Sequence, residues 1–94
     1  MFYDYNATVT SAHDSNPLRV VGNIKVYLDE AKTTYLTEIP FPTFSFSDVE
    51  DKTVEGFETY VKAKVDEVVN SPEWQSKLEE LKLAYEIGLY VPAQ

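Results

Sequence analysis

The apolar residues of this chain change their period once, near the middle, and that change restricts the fold more than any other feature. Up to Phe46 they recur at every second position; from Val54 onward they recur at every third or fourth. A period of two belongs to strands and one near 3.6 to helices. The chain therefore reads as one small domain over residues 1–94, with a sheet half at 1–47 and a helical half at 48–94. Strands followed by helices is the order of an α+β fold, with the helices gathered on one face of an antiparallel sheet.

In the sheet half, Tyr3, Tyr5, Ala7 and Val9 alternate with Asp4, Asn6 and Thr8, which predicts a half-buried strand. Residues 11–17 hold Ser11, His13, Asp14, Ser15, Asn16 and Pro17, types that bond their own backbone or fix φ, and so predict a loop. A second strand follows, with Leu18, Val20, Gly22, Ile24, Val26 and Leu28 on one face and Arg19, Asn23, Lys25 and Asp29 on the other. Val21 and Tyr27 are apolar exceptions on the second face. Gly22 in mid-strand predicts a bulge or a close backbone approach. After a polar turn at 29–32, Thr33 to Ile39 forms a third strand. Pro40 and Pro42 interrupt it, since proline cannot donate to a ladder, so 39–42 is an edge, a kink or a loop before Phe44-Ser45-Phe46 resumes an extended alternation. Phe41, Phe44 and Phe46 either form the lid of the core or offer an aromatic patch to a partner.

In the helical half, Ser47-Asp48-Val49-Glu50 has the spacing of a capping box, with Asp51 and Thr53 as later alternative starts. Val54, Phe57, Val61, Val65 and Val68 then make one stripe directed at the sheet. Asn70 suits a left-handed C-terminal stop. Ser71-Pro72-Glu73 combines a capping hydroxyl, a proline whose missing N–H costs nothing at the first helical position, and a first-turn acid. The second helix carries Trp74, Leu78, Leu81 and Tyr85 on one face and stops at Gly88; 89–92 is a short strand or a tail over the core. The expected architecture is a three-stranded antiparallel meander followed by a helical hairpin, β-β-β-α-α.

Chemistry has few residues to work with. There is no cysteine, which excludes disulfides, thiolate metal sites and a cysteine nucleophile. His13 is the single histidine, and sequence neighbours such as Ser11 and Asp14 rarely supply a triad, whose members approach the imidazole from opposite sides. Asp48, Glu50, Asp51 and Glu55 form the densest carboxylate cluster, but the glycine and the bidentate Glu of a calcium loop are not at the required spacing. Gly22, Gly56 and Gly88 are too scattered for a phosphate loop. The expectation is no enzyme, no cofactor and no metal site. The start of the sequence has neither the basic nor the apolar part of a signal peptide, and no apolar run reaches the roughly 18 residues of a membrane span. A cytoplasmic protein is expected, in which the sequon Asn6-Ala7-Thr8 goes unused.

Charge separates the remaining readings. Sixteen acids against eight bases give a net charge of −8, of which −2 falls on residues 1–47 and −6 on residues 48–94. Such a surplus argues against direct contact with nucleic acid or an anionic membrane and for a protein partner with a basic surface. Carboxylates on rigid helices can stand in for a phosphate backbone and occupy a basic channel. The candidate binding residues are Asp48, Glu50, Asp51, Glu55, Glu58, Asp66, Glu67, Glu79 and Glu80, with Tyr27 on the uncovered sheet face; the competing explanation is a solvated face that maintains solubility. In pattern and composition only, the chain resembles small antitoxin domains and small phage-encoded inhibitors of host defence. The resemblance implies an inhibitor of a nucleic-acid-binding machine and transfers no residue roles. The alternative function is a structural or assembly subunit of a virion-like particle, a homo-oligomer that self-associates through its sheet face and aromatics.

Overall fold

The computed structural model describes residues 1–11 and 18–92, so His13 and Asp14 lie outside the described residues. Four strands, β1 (Phe2–Thr10), β2 (Arg19–Tyr27), β3 (Tyr35–Ile39) and β4 (Phe44–Ser45), precede two helices, α1 (Val54–Val69) and α2 (Pro72–Glu86). The sheet is antiparallel in the order β1-β2-β3, and β4 joins the first end of β2 through Arg19↔Ser45 and Val20↔Phe44. This is the expected α+β order, with one two-residue strand added. Pro40 and Pro42 interrupt the third strand without ending its course along β2.

Register directs every second residue of β1 and β2 to the face of the sheet that carries the helices. Tyr3↔Val26, Tyr5↔Ile24, Ala7↔Gly22 and Val9↔Val20 share that face, and Val20, Ile24 and Val26 are at most 1% exposed. The opposite face carries Asp4, Asn6, Thr8, Arg19, Val21, Lys25 and Tyr27. At Gly22 the close approach is real: a Cβ would stand 2.0 Å from the Asn6 carbonyl oxygen. The bulge lies elsewhere. The register shifts between Val26 and Tyr27, which leaves Leu36 as an extra residue on β3, fully buried in the core. Between β2 and β3, the Asp29 carboxylate accepts from the Thr33 and Thr34 amides at 3.0 and 2.7 Å and from the Thr33 hydroxyl, which holds its pKa below the ordinary value. Lys32 completes that turn with a φ of 58°.

Two of the expected helix ends differ, the Ser47 capping box and the left-handed stop at Asn70. The Ser47 box is not used, because Phe46–Asp48 forms a 3-10 turn and Ser47 bonds to Ser45 instead. Thr53 caps α1, its hydroxyl accepting from the Gly56 amide at 3.0 Å. Val54 therefore stands at the first helical position, 74% exposed rather than under the sheet, while Val61, Val65 and Val69 make the buried stripe. Asn70 has a φ of −91° and is not left-handed. Its side chain donates to the Asp66 carbonyl, and only Ser71 separates it from α2, so the chain turns without a left-handed residue. Ser71 caps α2 as expected, and Gly88 adopts a φ of 80°. The tail is not a strand; the Tyr90 hydroxyl donates to the Leu36 carbonyl at 2.8 Å. Phe44 is buried, and Phe41 and Phe46, both half-buried, pack against the core as part of its lid, Phe46 also lining the groove between β1 and α1. Among the described residues every buried side chain is apolar.

Candidate functional site: a carboxylate rim at the start of the first helix

The segment from Phe44 to Thr53 is fixed at both ends. Phe44 pairs with β2 and packs on Tyr60 at 4.9 Å between ring centroids, and Val49, 1% exposed, pins the middle of the segment to the core. Between these anchors the polar residues point outward. Asp51 lies against the first turn of α1, its Oδ1 accepting from the Thr53 amide at 3.2 Å. Gly56 makes room for it, since a Cβ there would come within 2.4 Å of the Asp51 side chain.

Asp48, Glu50, Asp51 and Glu55 thus surround a shallow depression of about 490 Å³ whose floor is Val49, Gly56, Thr59 and Tyr60. All four are exposed, and none joins any of the three ion pairs found among the described residues. The nearest cation in sequence, Lys52, is turned away. Its ammonium donates to the carbonyls of Phe46 and Val49 and lies 5.0 Å from the centre of the Phe46 ring. The positive end of the α1 dipole stabilises the carboxylates at this terminus. No group of three or more His, Cys, Asp or Glu side chains among the described residues is arranged to hold a metal ion.

The other expected acids are dispersed. Asp66 is engaged structurally: it accepts from the Tyr3 hydroxyl and pairs with Lys62 at 2.8 Å, pinning β1 to α1. Its hydrogen bonds from Lys62 and then Tyr3 lower its pKa, and the same contact pushes Tyr3 up to about 12. Glu58 lines a separate apolar groove of about 600 Å³ between β1 and α1. Glu67 is exposed further along α1, and Glu79 and Glu80 are exposed on α2, with Glu80 beside Trp74 and Lys77. Tyr27 lies on the opposite, helix-free sheet face, its ring 6.0 Å from that of Tyr35 and near edge-on. The Tyr3–Asp66 contact spans 63 residues and the groove is formed by three segments, so no local sequence signal pointed to either. No family model, curated protein or solved structure matches this chain.

Proposed function

We propose that this chain is a non-enzymatic acidic binding domain whose carboxylate rim engages a basic surface on a partner protein, in the manner of an inhibitor that occupies a nucleic-acid-binding site. The observation that supports the reading is the rim itself: four carboxylates at one helix start that join no ion pair among the described residues, held by a buried anchor at Val49, with Lys52 bonded to backbone carbonyls and Lys64 lying over the Tyr60 ring. A solvated acidic surface has no need of that arrangement, because charge spread evenly serves solubility as well. Rigid placement of like charges matters when they must meet an equally fixed array of cations.

Poly-lysine serves as a basic-surface probe. Two variants remove the same number of charges: one combines Asp48→Asn, Glu50→Gln, Asp51→Asn and Glu55→Gln; the other combines Glu67→Gln, Glu79→Gln, Glu80→Gln and Glu86→Gln. The rim variant is expected to lose about tenfold or more in affinity, the dispersed variant much less, and both affinities to weaken as salt shortens the screening length from about 30 Å at 0.01 M to about 8 Å at 0.15 M. Equal losses in the two variants would show that binding follows net charge alone and would remove the rim as a site.

A further inference from the structure

β1 forms one outer edge of the sheet; β3 and β4 form the other. The two edges are protected very differently. β3 has five residues, is bulged at Leu36, runs directly into Pro40, and has the Tyr90 hydroxyl bonded to its Leu36 carbonyl. Shortness, a bulge, proline and a covering group are the means by which native sheets prevent an edge from pairing with another chain. Among the described residues β1 has none of them. It runs for nine residues in unbroken register with β2, contains no Pro or Lys, and has its one charge, Asp4, neutralised by Lys32. Phe2, Tyr5 and Val9 are 41, 37 and 41% exposed along it. Beside it lies the groove of about 600 Å³, lined by Tyr5, Ala7, Val9, Phe57 and Val61, with exposed Val54 at its mouth.

We propose that β1 pairs antiparallel with the β1 of a second copy of this chain, joining two sheets across a two-fold axis and closing the groove on both sides. The occupant follows from the strand's own sequence. The antiparallel self-pair that opposes all nine residues is centred on Asn6; it sets Tyr3 against Val9, Tyr5 against Ala7, Phe2 against Thr10 and Asp4 against Thr8. Large residues meet small ones on the helix side, and the single acid never meets its own copy. The flank of α1 is self-complementary in the same sense. Glu58 lines the groove, and Lys62 is tied through Asp66 to Tyr3, so both lie on the β1 side of α1. A two-fold that reverses β1 about Asn6 reverses α1 with it and brings Glu58 of one copy toward Lys62 of the other. Asp48, Glu50, Asp51 and Glu55 line no part of the groove, so this contact stands or falls apart from the partner-binding rim.

Sedimentation velocity of the full chain from micromolar to millimolar concentration tests the contact. The wild type is expected to move from monomer to twice that mass. Val9→Glu places a carboxylate opposite Tyr3 and beside Asp66 of the second copy and is expected to weaken the dimer about tenfold or more, with an unchanged circular dichroism spectrum. Glu58→Lys is expected to weaken it as well, and Glu58→Lys combined with Lys62→Glu to restore it. A wild type that stays monomeric across the whole range overturns the proposal. So does a dimer that ignores Val9→Glu and Glu58→Lys, or one that is lost in Val21→Glu alone, which would place the contact on the helix-free sheet face.

Discussion

Replacing Gly22 by alanine tests whether the β1–β2 contact is as close as the structure shows. An alanine Cβ would lie 2.0 Å from the Asn6 carbonyl oxygen, 3.0 Å from the Asn6 carbonyl carbon and 3.1 Å from the Ala7 Cα, all of them backbone atoms that no rotamer change can move. To regain even a 3.0 Å contact with the oxygen, β1 must retreat by about 1 Å at the centre of its nine-residue ladder. Two flanking ladder bonds stretched to the point of loss cost about 1 kcal/mol each. Against this, alanine restricts the unfolded chain and returns about 0.4–1 kcal/mol. The balance is a destabilisation of about 1–1.6 kcal/mol, or a fall in Tm of roughly 4–13 °C for a domain of this size. Urea unfolding followed by circular dichroism and by Trp74 fluorescence measures it. The unfolded-chain term alone would make the alanine variant more stable, so a variant as stable as wild type or more so would refute the reasoning by its sign.

The cap assignment predicts that Thr53→Ala costs about 1 kcal/mol while Ser47→Ala costs less than about 0.5, the reverse of what a capping box at Ser47 requires; paired urea titrations decide between them. Tyr3→Phe removes the hydrogen bond to Asp66 and is expected to cost about 1 kcal/mol at neutral pH. It also changes the alkaline limb: because the Tyr3 pKa is raised from 10 to about 12, its contribution is complete below pH 10 and is lost as pH rises through 12. The stability difference between wild type and Tyr3→Phe should therefore shrink across that interval, and a constant difference would contradict the contact.

The fold was largely legible because its determinants are local. The alternation of Tyr3 to Val9, the break at Pro40 and Pro42, and Ser71-Pro72-Glu73 each act within a few residues of themselves. What was not legible depends on tertiary geometry. Ser47 and Thr53 both offered caps to α1, and the choice fell to Thr53 because Phe44–Ser45 pairs with β2 and carries Ser47 into a 3-10 turn. Val54 fits the helical stripe by spacing but stands one turn beyond the core, at the mouth of the groove. The acidic half was visible as composition. Its division into a rim of four free carboxylates, a structural Asp66 and scattered acids on α2 required knowing which cations were already occupied, Lys52 on carbonyls and Lys62 on Asp66.

The most direct test of the rim is a map of backbone amide chemical shifts in the isotopically labelled chain during titration with poly-lysine at low salt. Perturbations are expected to concentrate at residues 48–51 and 55–60 and to disappear as salt is raised. Shifts distributed evenly over Glu67, Glu73, Glu79, Glu80 and Glu86 as well would contradict the account, because they would mean that the basic probe reads the net charge of the helices and finds no site.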